Sequence, residues 1–170
     1  MNIAHQLDGN VIQLIQNNIS CIVAAALTHI GDKNRTGGFL CLTTHDGIVL
    51  MQMLVGKLSD PVKADKYRRL SLEKCERLAR NPDHLSCWPT RNTSDEMYGG
   101  AVRGNTMLLG FSGFPELYDE SCMLAFGEQM GELEPSRIIY IASTSKNETA
   151  KIMLSHIPFE WDAPTAAFRG

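Results

Sequence analysis

Apolar residues near the start of the chain return at spacings of three and four: Ile12, Ile15, Ile19, Ile22, Val23, Ala26, Leu27 and Ile30. That is the period of an amphipathic helix, with a break near Asn17 and Asn18 and a stop at Gly31. The pattern then changes. "FLCLTTHDGIVLMQMLVG" holds two dense apolar runs either side of Asp46-Gly47, a tight-turn pair, and predicts a hairpin with strands over 38–44 and 47–55. Helical spacing resumes with Tyr67, Leu70, Leu78 and Ala79. Ser59, Asp60 and Pro61 in front of them and Asn81-Pro82 behind bound a helix over 61–80.

Residues 81–97, "NPDHLSCWPTRNTSDEM", carry no period and read as a long ordered loop. "YGGAVR" and "TMLLGFSG" are two further strands joined at "RGN". A helix follows from Pro115 to Gly131, with Glu116, Asp119 and Glu120 in its opening turns, where carboxylates complement the positive end of the helix dipole. "RIIYIAS" (137–143) predicts a fifth strand. Ser145 and Glu148 fit a capping box for a last helix bearing Ala150, Met153, Leu154 and Ile157 on one face. The tail carries Phe159, Trp161 and Phe168 among two prolines. Hairpins make antiparallel neighbours, so the expected fold class is α+β: a five-stranded antiparallel sheet flanked by helices.

Composition narrows the function classes. A chain of 170 residues with 44% hydrophobic and 21% charged residues reads as one soluble domain. It has neither a signal-peptide pattern nor an evident span, so a cytoplasmic protein away from membranes is expected. A net charge of −3 offers little drive toward nucleic acid. Cys21, Cys41, Cys75, Cys87 and Cys122 are scattered without a CxxC pair, resembling neither a disulfide framework nor a zinc site; most are expected to be buried thiols.

Three stretches carry a family resemblance. They are "HDGIVLMQMLVG", "DPVKADKYRRLSLEKCERLA" and above all "YGGAVRGNTMLLGFSGFPELYDES". The last resembles the GlcG/HbpS-like pattern of paired glycines, an apolar strand, G-x-x-G-x-S-G and an acidic helix start. Gly99, Gly100, Gly110, Ser112, Gly113, Pro115, Glu116, Asp119 and Glu120 fall on that pattern, with one residue of altered spacing at Glu116. The likeness covers residues 10–131, leaving 132–170 as a C-terminal extension. It implies a profilin-like sandwich in a homo-oligomer, binding a small-molecule ligand for which haem or a related tetrapyrrole is the leading candidate. An enzyme acting on a small organic acid or on haem, and an assembly protein docking through its tail, are the competing readings.

Candidate ligand residues follow, each beside its plainer explanation. Lys63 and Lys66, with Arg68 and Lys74, are the basic residues of helix 61–80 left over once Asp65–Arg69, Glu73–Arg77 and Glu76–Arg80 pair along the helix. They suit ligand carboxylates, or simply a solvated face. Gly99 and Gly100 could border a ligand, but three nearby carboxylates disfavour phosphate, and tight turns explain glycines equally well. Glu116 and Asp119 could act chemically or serve the helix dipole. His29 and His84 are the histidines that could supply an axial ligand to haem, though no histidine pair has metal-site spacing, and no metal is expected. "GFSGF" departs from the nucleophile-elbow spacing and Cys87 has no basic neighbour in sequence, so Ser112 and Cys87 read as structural, and no catalytic residue is assigned.

Overall fold

The computed structural model describes residues 8–155; Ile157, Phe159, Trp161 and Phe168 lie outside the described residues. The element order is α1 (Gly9–Ile30), β1 (Gly37–Thr43), β2 (Val49–Gly56), α2 (Pro61–Ala79), β3 (Ala101–Arg103), β4 (Leu108–Ser112), α3 (Glu116–Gln129), α4 (Pro135–Ser145) and α5 (Thr149–Leu154). One antiparallel sheet has the order β2-β1-β4-β3. Both hairpins are present, and β4 of the second lies beside β1 of the first.

Local chemistry explains the boundaries. The Asp8 side chain accepts the amides of Asn10 and Val11 to open α1, and Gly31 closes it with φ of 66°. α1 runs unbroken through Asn17 and Asn18, because Ile15, Ile19, Ile22, Val23 and Ala26 keep one buried face. By length and composition it is also apolar enough to cross a bilayer, a property shared with core helices. In the first hairpin the Gly47 amide donates to the Thr44 carbonyl at 3.0 Å, with φ of 86° at Gly47. Asp60 caps α2 through the amides of Val62 and Lys63, with Pro61 in the first turn.

The sheet is covered on both faces. Leu40, Leu42, Val102, Leu109 and Phe111 pack toward α1 and α3, with α4 and α5 completing that core. Cys41, Ala101 and Leu108 face Cys75 and Leu78 of α2. Strand alternation delivers neighbours to opposite faces, as Cys41 between Leu40 and Leu42 illustrates. α3 is the central helix, buried without interruption from Asp119 to Gly127.

Residues 137–143 correct the sequence expectation: they belong to α4, and the sheet has four strands. Their β-branched content favours a strand, but Pro135 starts a helix, and Ile138, Ile141, Ala142 and Ser145 fall on one buried helical face. The capping box is corrected as well. Ser145 ends α4, Lys146 turns the chain with φ of 54°, and α5 begins at Thr149.

Candidate functional site

The N-terminal half of α2, the β4–α3 turn and the long loop enclose a cleft of about 410 Å³. Arg35, Lys63, Lys66 and Lys74 bring positive charge to its lining, against Glu116 and Asp119. Tyr67, Leu70, Tyr98 and Phe114 supply apolar and aromatic wall. The lining counts four cations against two carboxylates, and two further carboxylates outside it, Glu96 on Lys66 and Asp32 at 3.8 Å from Arg35, pair with those cations.

The floor is a buried ion pair. Lys74 Nζ lies 2.8 Å from Asp119 Oδ2 and donates to the Phe111 carbonyl at 2.7 Å. Asp119 Oδ1 accepts the Phe114 amide at 2.9 Å, which pins the end of the second hairpin to α3. Both side chains are almost wholly buried. Burial pushes the Asp119 carboxyl up to about 6, against the opposing pull of Lys74 and the Phe114 amide. Gly100 makes room for the pair: its φ is +118°, and an added Cβ would lie 2.6 Å from Asp119 Cβ and 2.9 Å from Lys74 Nζ.

The long loop forms one wall and is fastened at several points. Arg77, buried in α2, donates to the carbonyls of Cys87 and Tyr98 at 2.8 Å and 2.5 Å, to Thr90 Oγ1 at 3.0 Å, and to Glu73. Arg91 lies 4.2 Å above the Trp88 ring and 2.9 Å from Glu116 Oε1. Glu116 Oε2 accepts the Gly99 amide at 3.0 Å. The Lys66–Glu96 ion pair closes the outer rim.

Sequence reasoning therefore reaches one place through several residues. Lys63, Lys66, Glu116 and Asp119 all line the cleft, and Gly99 and Gly100 lie directly behind it through Glu116 and the buried pair. His29 and His84 do not join them. His29 is exposed in the last turn of α1. His84 lines a separate cavity of about 320 Å³ with Tyr140 and Thr144, and its Nδ1 is buried without a hydrogen-bond partner among the described residues.

Of the leftover basics of α2, Arg68 pairs with Asp65 at 2.9 Å and Lys74 with Asp119, while the Lys63 ammonium has no partner among the described residues. Asp65–Arg69 and Glu73–Arg77 form as expected. Arg80 instead donates to the backbone carbonyl of Glu76. Arg35, Tyr67 and Tyr98 were not singled out from sequence. Arg35 donates to the Tyr67 hydroxyl and the Gly113 carbonyl, both at 2.9 Å, an arrangement without a sequence signal because the partners are far apart along the chain.

Nucleophilic chemistry finds no support in the thiols. Four cysteines are buried and Cys21 is exposed. Contact with Cys41, together with burial, holds the Cys75 thiol well above its usual range, and burial raises Cys87. Among the described residues no group of three or more His, Cys, Asp or Glu is arranged to hold a metal ion.

Comparison with protein-family models, curated proteins and solved structures returns no match.

Proposed function

We propose that the protein is a small-ligand-binding module whose cleft takes a compact organic acid. The observation that carries this reading is the unpartnered Lys63 ammonium beside Arg35 and Lys66, at the mouth of a hollow with aromatic walls. Pockets of a few hundred cubic ångströms with few polar groups on an apolar lining are the usual form of small-molecule sites. Glu116 and Asp119 are each engaged by the protein itself, as are Lys66 by Glu96 and Arg35 by Tyr67 and Gly113, which leaves Lys63 to meet a ligand carboxylate. The fold reading that goes with this is a four-stranded variant of the profilin-like sandwich, and kinship with the GlcG/HbpS-like proteins is part of the proposal. Thermal denaturation against short mono- and dicarboxylates at millimolar concentration tests it. A binding acid raises the melting temperature, and Lys63→Ala weakens that acid by about tenfold, the usual scale of a charge-assisted hydrogen bond. A melting temperature indifferent to every acid tried defeats the reading.

A second ligand, haem or a related tetrapyrrole, is favoured by one feature: Tyr67 and Tyr98 line the same cleft. Phenolate is a known haem ligand, and propionates would suit Lys63 and Lys66. Titration with hemin decides, since a spectrum identical to free hemin removes this ligand.

A further inference from the structure

A second hollow, of about 320 Å³, opens between residues 83–89 of the long loop and α4, and it shares no lining residue with the cleft. Exposed Asp83 lines it, and among the described residues no lysine or arginine does. The Asp83 carboxylate has no ion pair among the described residues. Its field reaches Arg103, but that guanidinium is committed to the carbonyls of Leu78, Asn81 and His84.

His84 is held in this hollow by its backbone. Its amide donates to the Asn81 carbonyl at 3.0 Å, and its carbonyl accepts Arg103 Nε at 2.9 Å. The Arg103 amide donates to the Leu85 carbonyl at 2.8 Å, and Ser86 forms a bridge with Val102. The segment is thus strapped along the outer side of β3, and the His84 ring is placed before any ligand arrives. The ring is the unsatisfied part. Its Nδ1 is buried with no hydrogen-bond partner among the described residues, whereas buried polar side-chain atoms in folded proteins are nearly always paired.

The remaining walls narrow the chemistry. Leu85 and Ile141 are apolar, and Tyr140 adds an aromatic side chain that is 45% exposed. Thr144 directs its hydroxyl hydrogen to the Tyr140 carbonyl at 3.0 Å, so toward a ligand it can only accept. An anion would meet Asp83 and lone pairs. A purely apolar molecule would leave His84 Nδ1 without a partner.

We infer that this hollow binds a small protonated amine with an apolar body. The ammonium donates to His84 Nδ1, in the tautomer that carries its proton on Nε2, and lies near the Asp83 carboxylate. The body rests against Leu85, Ile141 and Tyr140.

Isothermal titration of the full chain at pH 8 with benzylamine and with butylamine, at matched ionic strength, tests this. At least one amine binds, and its neutral counterpart, benzyl alcohol or butanol, binds about tenfold more weakly. Asp83→Asn weakens the amine by about threefold, the scale of an exposed ion pair. His84→Phe keeps a ring without the acceptor and weakens it by about tenfold. Far-ultraviolet circular dichroism confirms that both variants fold. Should His84→Phe fail to fold, the His84 ring resonances of the wild type decide instead, and amine binding shifts them. The inference is overturned if neither amine binds, if the alcohol binds as tightly, if either folded variant leaves the affinity unchanged, or if those resonances stay unmoved.

Discussion

Among the described residues Glu120 is a carboxyl with no counter-ion in its hydrogen-bond shell, and the energetic consequence can be measured. Its Oε1 meets Ser145 Oγ and, at 3.0 Å, Asn147 Nδ2, while its Oε2 is buried without a partner among the described residues. Ser145 Oγ and Asn147 Nδ2 both donate to Oε1, so an ionised Glu120 would leave charge on the buried Oε2 with no donor to meet it, which favours the neutral acid. Burial pushes this carboxyl up to about 7, against the pull of Ser145 and Asn147. A carboxyl that holds its proton more tightly when folded favours folding at low pH; that advantage is complete below the ordinary value of 4.5 and is lost as pH rises through about 7. The difference corresponds to ~3 kcal/mol. Glu120→Gln keeps an oxygen for Ser145 and Asn147 but cannot ionise. Urea unfolding of both proteins at pH 4.5 and pH 8 isolates the effect, because Asp119 contributes to each equally. The expected result is that the stability of Glu120→Gln relative to wild type improves by ~3 kcal/mol between the two pH values, or about 6–12 °C in melting temperature. A difference independent of pH would refute the assignment of a neutral Glu120.

Further outcomes follow from other contacts. Lys74→Met strands the Asp119 carboxylate and should cost about 3–5 kcal/mol at pH 8 by urea unfolding. The loss should shrink at pH 5, where Asp119 can take up a proton, and Lys74→Met with Asp119→Asn should recover part of it at pH 8, since the amide oxygen still serves Phe114. Arg77→Ala releases the loop carbonyls of Cys87 and Tyr98, so trypsin should cut after Arg91 at least about tenfold faster than in wild type, read by mass spectrometry of the fragments.

How far the sequence foretold this molecule differs from place to place. α1, the first hairpin and α2 were legible because periodicity, turn residues and caps all agree there: Asp46-Gly47 makes its turn and Asp60-Pro61 opens its helix. α4 was misread because Ile138, Ile139 and Ile141 have strong strand propensity, and only burial against the core favours the helical spacing of the same residues. Ser145 looked like a cap and is instead a partner of Glu120, a role set by tertiary contact. Part of the cleft was visible, since Lys63, Lys66, Glu116 and Asp119 stood out as charge beside a glycine-rich turn. Its floor was hidden: Lys74 read as a surface lysine, and the carboxylate that neutralises it is 45 residues away.

Asn147 has a bearing on biosynthesis. Its side chain donates to the Leu117 carbonyl at 2.9 Å and to Glu120, and its Oδ1 accepts from Ser121, so one residue satisfies three neighbours in the middle of the chain. A ribosome that has made α3 but not yet released residue 147 holds a nascent helix whose interior polar groups still require water. At translation speeds of about 5–20 residues per second, and with the exit tunnel still enclosing the newest stretch, final closure waits until residue 147 has cleared the ribosome. Premature stops between α3 and α5 should therefore yield chains handed to the degradation machinery, rather than shortened but folded proteins.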